Sequence, residues 1–259
     1  MKFFRWIFVF ALISNGTILR AATNQFEFRE GGIIRGLKEE RKIALEFTAG
    51  DFAEGGKTIL DELAKRKIKA SFFFTGGFFK NPENKKMAGR VVAEKHYLGP
   101  HSDSHPLLCP WTGPKKTLVT KKFFQNDLQN NLKKIEQLGV KRAQIKYFIP
   151  PYEYYNEEIA AWTRELGLTL INFTPGTRSA ADYTQEDEKN YVASQTIFDS
   201  IIKKEKADGL NGFLLLLHFG VGPKRADKMA DRLGELIDHL QNKGYQFVRI
   251  DELLATNSK

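Results

Sequence analysis

The segment Lys42-Ile43-Ala44-Leu45-Glu46-Phe47 is a short, mostly apolar strand pattern, and a second one, Ala70-Ser71-Phe72-Phe73-Phe74, follows it before Gly76-Gly77. Between them, apolar residues recur at the spacing of one helical face, at Ile59, Leu60, Leu63 and Ala64. Parallel strands need a crossover connection, which is usually a helix. The segment therefore predicts a strand–helix–strand unit of an α/β protein.

The same alternation continues to the end of the chain. Helices are predicted after the cap-like residues Asn81, Thr120 and Asn156, and over residues 194–205 and 225–241. Further strands are predicted at 147–149, 169–172, 213–217 and 246–250. About seven apolar strands joined by helices indicate a parallel sheet that is covered on both faces or closed into a barrel.

The N-terminus has the pattern of a secretory signal peptide. Lys2 and Arg5 precede the apolar run Trp6–Ile13, and Ala21-Ala22 offers a small-residue cleavage point. The apolar run is too short for a membrane-spanning helix. We therefore expect residues 1–22 to be removed and the protein to be exported, to the periplasm or the outside; an uncleaved N-terminal anchor is the alternative.

Composition excludes some classes of protein. The formal net charge is +9, and its lysines are scattered among acidic residues rather than gathered in one tract. This pattern favours a solvated lysine face over a nucleic-acid-binding surface. The single cysteine, Cys109, excludes an internal disulfide, so stability must come from the packed core.

Three of the five histidines lie where apolar segments give way to loops. His101 and His105 follow Gly99-Pro100, and His218 closes the run Leu214–Leu217. Two imidazoles four residues apart can bind one metal ion, and a third can act as an acid or base beside it. In barrels of parallel strands the chemistry lies on the loops after the strand C-termini, which is where these histidines are expected.

These residues stand in motifs that resemble those of the polysaccharide deacetylases of carbohydrate esterase family 4. The resemblance runs from about Ile43 to Arg249 and rests on four motifs in order: Ile68–Gly76, His101-Ser102-x-x-His105, Phe148–Tyr152 and Leu216-Leu217-His218. It implies that residues 23–259 form a single domain of this kind, a distorted (β/α)7-type barrel. It also implies a metal ion held by the histidine pair, His218 as the general acid, and Leu216 beside the acetyl group.

The first motif of that family is altered in this chain. The family pattern Thr-Phe-Asp-Asp-Gly supplies a catalytic base and then a metal-binding aspartate, and it aligns with Glu46-Phe47-Thr48-Ala49-Gly50. Thr48 and Ala49 thus occupy both aspartate positions, and Ile149 occupies the position of the arginine that orients the base. The base and the residue that orients it are lost together.

Asp51 is the expected replacement for the missing metal ligand. It lies two positions further along the chain, and Gly50 can adopt backbone angles that would fold the loop back. We therefore expect Asp51, His101 and His105 to hold a divalent cation. The ligand types favour zinc, with nickel, cobalt or iron as alternatives.

The altered first motif also leaves the catalytic base to be supplied by a different carboxylate. Glu153 directly follows the Pro-Pro-Tyr motif and is the preferred candidate, with Glu54, Asp103 and Asp51 as alternatives. Tyr152 is expected to bind the sugar, and Trp111 and Tyr183 are further aromatic candidates.

The sequence therefore predicts a metal-dependent hydrolase that removes N- or O-linked acetyl groups from a polysaccharide or oligosaccharide. Its partner would be an acetylated glycan. The altered first motif leaves open an alternative, a catalytically disabled deacetylase fold that binds glycans. A hydrolase acting on another amide would share the same site.

Overall fold

The structure is a computed structural model that describes residues 26–255. The predicted signal peptide, residues 1–22, lies outside the described residues. The strands are β1 Glu27–Arg29, β2 Gly32–Arg35, β3 Lys42–Ala49, β4 Ser71–Phe74, β5 Tyr97–Pro100, β6 Tyr147–Phe148, β7 Thr169–Leu170, β8 Phe213–His218 and β9 Gln246–Val248. The helices are α1 Gly56–Lys65, α2 Pro82–Ala93, α3 Lys121–Glu136, α4 Glu157–Glu165, α5 Ser194–Asp208, α6 Leu233–Asn242 and α7 Ile250–Leu253. Within residues 26–255, no helix has the length and apolar character to cross a membrane.

The strands form a curled sheet in the order β1-β2-β8-β3-β4-β5, with β9 beside the first half of β3. β3 is central and runs parallel to both β4 and β8. The short pair β6-β7 continues the curl, because the Ile149 N–H donates to the Pro100 carbonyl at 3.4 Å and Ile171 bridges to Ile33 of β2. The predicted α/β barrel architecture is confirmed in this distorted, partly open form.

Alternation along β3 separates two apolar clusters. Ile43, Leu45, Phe47 and Ala49 pack on the face covered by helices. Ala44 belongs to the cluster inside the barrel, together with Leu216 of β8 and Ile149. Since side chains alternate along a strand, Glu46 and Thr48 share the inner face with Ala44. The inner face of β3 therefore leads directly to the loops at the carboxyl ends of the strands.

The predicted helix starts are confirmed at three caps. The side-chain oxygens of Asn81, Thr120 and Asn156 accept hydrogen bonds from backbone N–H groups in the first turns of α2, α3 and α4. Such caps stabilise a helix because they satisfy N–H groups that have no partner within it.

The predicted helix over residues 225–241 is wrong in nearly its first half, up to Arg232. The chain there forms a loop and a short 3-10 helix, Met229–Arg232, before α6 begins at Leu233. Arg225 is fully buried, and its guanidinium donates to the carbonyl oxygens of Thr184 and Val192 at 2.5 and 2.9 Å. These hydrogen bonds to distant residues hold the segment around Arg225 in a loop conformation instead of a helix.

Candidate active site

A cavity of about 470 Å³ opens at the carboxyl ends of β3, β5, β6 and β8. It is lined by Thr48, Ala49, Gly50, His101, His105, Trp111, Tyr152, Glu153, Tyr183 and His218. The structure thus brings together most of the predicted site residues from four separate loops. Asp51 and Leu216 are not among the lining residues.

His101 is held rigidly at the end of β5. Its ring Nδ1 lies 2.9 Å from the Ile149 carbonyl, and its backbone N–H donates to Asn131 Oδ1 at 3.0 Å. A carbonyl partner fixes the proton on Nδ1 and leaves the Nε2 lone pair free, as in metal-binding histidines. Burial, reinforced by His105, lowers the pKa of His101 well below its usual value, so the ring is neutral.

His105 lies beside His101, with ring centroids 5.0 Å apart. Burial, followed by the field of His218, lowers the pKa of His105 to about 4. The loop between the two histidines is fixed by Asp127 of α3, whose carboxylate accepts from the backbone N–H groups of Asp103 and Ser104 at 2.8 and 2.9 Å. The two rings are therefore neutral and held together by a rigid turn.

His218 forms a close pair with Asp182. Its Nδ1 lies 2.6 Å from Asp182 Oδ1, and its backbone N–H donates to Asp182 Oδ2 at 2.8 Å. Burial by itself lowers the pKa of His218, but the field and hydrogen bond of Asp182, with Glu153, outweigh it and leave the pKa raised. Sequence analysis did not identify Asp182 as this partner, because 36 residues separate the two.

Glu153 lines the same cavity. Its Oε1 lies 3.9 Å from His101 Nε2. Burial, moderated by His218, raises the pKa of Glu153 to about 7. The backbone that carries it is strained, because Tyr152 and Glu153 have φ angles of 59° and 53°, a left-handed region that costs a non-glycine residue roughly 1–2 kcal/mol. Strain of this kind concentrates at functional sites.

Aromatic side chains form the mouth of the cavity. The ring of Tyr152 lies 4.4 Å from that of His105 and 5.3 Å from that of Trp111. Tyr183 lies 5.2 Å from His218. Tyr152, Trp111 and Tyr183 are 45%, 56% and 49% exposed, so their faces are open to a ligand.

Asp51 is not among the residues that line the cavity, although its carboxylate is close enough to His105 for its charge to act on the pKa of that imidazole. Its backbone carbonyl accepts from Asn84 Nδ2 of α2 at 3.0 Å, and a Cβ added at Gly77 would lie 2.8 Å from Asp51 Oδ1. The carboxylate therefore lies against Gly77. Its role as a metal ligand stays a prediction.

Two other candidate bases are engaged elsewhere. Glu54 accepts from the Val221 N–H at 2.7 Å, and Asp103 pairs with Lys134 at 2.5 Å. Leu216 is fully buried inside the barrel and pairs in register with Glu46. Of the four candidate bases, Glu153 is the one whose carboxylate contacts His101.

The donor types fit a divalent cation only in part. Two neutral imidazoles with free Nε2 atoms suit zinc, which prefers nitrogen, sulfur and carboxylate ligands. Among the described residues, however, no group of three or more His, Cys, Asp or Glu side chains is arranged to hold a metal ion. His101 and His105 can contribute two ligands, and Glu153 is the carboxylate nearest to His101.

One buried acid was missed by sequence analysis. Glu46 is fully buried, and neither of its carboxyl oxygens has a hydrogen-bond partner among the described residues. Burial, with the field of Glu153, raises the pKa of Glu46 well above its usual value. A glutamate inside an otherwise apolar strand pattern was the available indication.

Comparisons with known proteins show the family of the chain. Residues 35–171 match the family model for polysaccharide deacetylase. The chain is 27% identical over 216 residues to the peptidoglycan-N-acetylglucosamine deacetylase PgdA of Listeria monocytogenes. The aligned region covers 83% of this chain and 39% of that protein. It is also 27% identical over 221 residues to the peptidoglycan-N-acetylmuramic acid deacetylase PdaA of Bacillus subtilis, covering 85% and 73% of the two chains.

Solved structures show the same fold. The structure of Bacillus subtilis PdaA, a family 4 carbohydrate esterase, has a TM-score of 0.70 at 26% identity and covers 86% of this chain and 85% of that one. A pseudoenzyme of the same family from Bacillus anthracis has a TM-score of 0.68 at 21% identity, covering 88% and 70%. The second likeness concerns the fold alone.

Proposed function

Because this chain belongs to the polysaccharide deacetylase family, we propose that it hydrolyses acetyl groups, N- or O-linked, from an acetylated polysaccharide or oligosaccharide with the help of a divalent cation. One observation carries the proposal. A neutral histidine pair, a carboxyl with a pKa of about 7 and a carboxylate-paired histidine line one cavity.

His101 and His105 would hold the cation, for which zinc is the first candidate and nickel, cobalt or iron are alternatives. When bound, such an ion polarises the acetyl carbonyl and makes a water molecule acidic near neutral pH. The hydrogen bond from His101 Nδ1 to the Ile149 carbonyl orients that ring for the purpose.

Glu153 and His218 would divide the proton transfers. A general base works best when its pKa lies near the operating pH, and the pKa of Glu153 is about 7. Glu153 would take the proton of the attacking water. His218, held in orientation by Asp182, would give a proton to the departing nitrogen or oxygen.

The aromatic mouth would select a glycan. Aromatic faces such as those of Tyr152, Trp111 and Tyr183 offer flat apolar surfaces with polar edges, which suit the faces of sugar rings. The relatives are named for activity on peptidoglycan, so peptidoglycan is the first polymer to assay. A glycan of that kind also agrees with export across the membrane, as the predicted leader implies.

The alternative function is glycan binding without turnover. Positions 48, 49 and 149 carry Thr, Ala and Ile instead of the carboxylates and arginine of the family motif. A chain with this alteration that retained the aromatic mouth would bind sugars and release no acetate.

Acetate release distinguishes the two functions. The exported chain, residues 23–259, is incubated with peptidoglycan, acetylated chito-oligosaccharide and acetylated xylan, with added zinc or with a chelator. The proposal requires zinc-dependent acetate release that E153Q abolishes while leaving glycan binding unchanged. Glycan binding without acetate release, whichever substrate and metal ion are supplied, would establish the alternative.

A further inference from the structure

The turn that carries the histidine pair, residues 101–105, has a backbone that its own sequence does not favour. Ser102 and His105 have φ angles of 68° and 54°, in the left-handed region that is disfavoured for residues other than glycine. The turn contains no glycine that would make such angles easy. A backbone of this kind persists only when the surrounding structure holds it, so the contacts around the turn decide where the two rings lie.

Asp127 of α3 holds the middle of the turn. Its carboxylate accepts from the backbone N–H groups of Asp103 and Ser104 at 2.8 and 2.9 Å, and from the Ser104 hydroxyl at 2.5 Å. The Asp127 side chain is buried, so water competes little for these hydrogen bonds. Hydrogen bonds to an ionised acceptor are stronger than those between neutral groups, and three of them leave the middle of the turn little freedom to move.

Asn131 of α3 holds the start of the turn. It is fully buried. Its Oδ1 accepts from the His101 N–H at 3.0 Å, and its Nδ2 donates to the Phe74 carbonyl at the end of β4 at 3.1 Å. Because residues four apart lie on the same face of a helix, Asp127 and Asn131 contact the turn from one side and act on it together.

We propose that Asp127 and Asn131 are positioning residues for the histidine pair. They hold residues 101–105 in the left-handed turn and keep the rings of His101 and His105 together, with centroids 5.0 Å apart, so that both can bind the same cation. Neither Asp127 nor Asn131 is among the residues that line the cavity, so both act through the turn. The inference rests on the proposed function in one respect, the binding of a divalent cation by the histidine pair.

The first measurement needs neither metal nor substrate. In the metal-free wild-type protein, the adjacent imidazoles should give a nuclear Overhauser effect between ring protons of His101 and His105. D127A and N131L should lose this signal, because the turn is then free to relax toward ordinary backbone angles. A signal of wild-type strength in both variants would overturn the positioning role.

Two kinds of control accompany this measurement. Asn126 and Asn130 are exposed neighbours on α3, and N126A and N130L should keep the signal. T163V controls for a general loss of stability, because it removes a buried hydroxyl hydrogen bond of α4, outside the turn and α3. Urea denaturation should show T163V to be destabilised, as D127A and N131L are, while its signal is unchanged. Loss of the signal in T163V as well would show that any destabilisation disturbs the histidines.

The second measurement is zinc affinity by isothermal titration calorimetry at one fixed pH. If the binding-competent turn is populated only about one-tenth of the time in D127A and N131L, zinc affinity falls about tenfold. N131L changes no charge, so a loss there has no electrostatic cause. D127N removes the charge but keeps an acceptor oxygen, and should recover part of the loss. Equal losses in D127A and D127N, with wild-type affinity in N131L, would show that the carboxylate acts by its charge alone.

A variant on the other side of the turn tests the same idea if D127A and N131L do not fold. A Cβ added at Gly76 would lie 1.7 Å from Asp103 Oδ1, so G76A should displace the turn while α3 is intact. It should lower zinc affinity and weaken the signal between the two histidines. G89A is the control, because a Cβ at Gly89 meets nothing within 4 Å. Wild-type behaviour of G76A would refute the dependence of the histidine pair on this turn.

These outcomes separate the inference from the proposed function. If the wild-type protein binds zinc and releases no acetate, the proposed function fails, and zinc affinity still decides the roles of Asp127 and Asn131. If the wild-type protein binds no divalent cation, the proposed function also fails. The signal between the histidine rings then decides whether the two residues of α3 hold them together.

Discussion

Asp182 holds both the ring and the backbone of His218, with Oδ1 2.6 Å from Nδ1 and Oδ2 2.8 Å from the backbone nitrogen. Because the carboxylate is almost completely buried, its field is weakly screened and favours the imidazolium form. Because Nδ1 is hydrogen-bonded to Asp182, Nε2 is the ring nitrogen that stays free for a substrate. It is the part of the site in which the geometry of a general acid is complete.

We expect D182N to lower kcat for acetate release by about a hundredfold or more, the usual contribution of a general acid. The amide removes the charge that raises the pKa of His218, so the alkaline limb of the pH profile should move to lower pH. Glycan binding should be unchanged. An alkaline limb at the wild-type pH in D182N would contradict the role of Asp182.

The same pair predicts a stability difference with a defined sign. The pKa of His218 is raised above its ordinary value of 6.5, so the pair stabilises the fold fully below that pH and loses its effect as the pH rises through the raised value. D182N should therefore be destabilised more at pH 6 than at pH 9. Urea denaturation at both values measures this.

Glu153 should show a conflict between stability and activity. Its φ angle of 53° is easy for glycine and strained for other residues. E153G should therefore be more stable than E153A by about 1 kcal/mol in free energy of unfolding, while both variants lose acetate release. Equal stabilities of the glycine and alanine variants would show that the backbone is not strained there.

The proposed metal ligands can be distinguished by variants whose measurement does not depend on turnover. We expect H101A and H105A to lower zinc affinity at least tenfold, measured by isothermal titration calorimetry. D51N should change it less than twofold, because the Asp51 carboxylate lies against Gly77. A large loss of affinity in D51N would instead support the original sequence prediction, with the loop turning toward the histidines.

Local sequence features predicted much of this fold. The caps at Asn81, Thr120 and Asn156 depend on the residue and its next few neighbours, and they lie where expected. The histidine pair and His218 could be placed because apolar strands precede them and strand ends in such barrels meet at one rim.

The remaining features depend on contacts between distant parts of the chain. The direction of Asp51 follows from its proximity to Gly77 and the bond from Asn84, which no spacing rule reveals. The partnership of Asp182 with His218 depends on how a long loop folds over β8. The backbone at Glu153 is left-handed, a conformation that favours glycine. The orientation of the Glu153 side chain could therefore not be predicted from residue propensities.

Arg225 provides the last prediction, because it joins the loop that carries Asp182 to the segment after β8. Its guanidinium donates to the Thr184 and Val192 carbonyls and to Ser194 Oγ at 2.5, 2.9 and 3.0 Å. R225M would keep much of the side-chain volume and leave those acceptors buried without a donor. We expect a loss of about 3–5 kcal/mol in free energy of unfolding.

The effect should extend to catalysis through Asp182. A looser loop would lower the pKa of His218, so R225M that is still folded should shift the alkaline limb of the acetate-release profile in the same direction as D182N. R232M is the matched control, because Arg232 is an arginine whose contacts to Gln195 and Glu235 are at the exposed surface. Limited proteolysis should cut R225M, and not R232M, within residues 183–193. A folded R225M protein with the wild-type pH profile and cleavage pattern would show that Arg225 stabilises the fold without positioning Asp182.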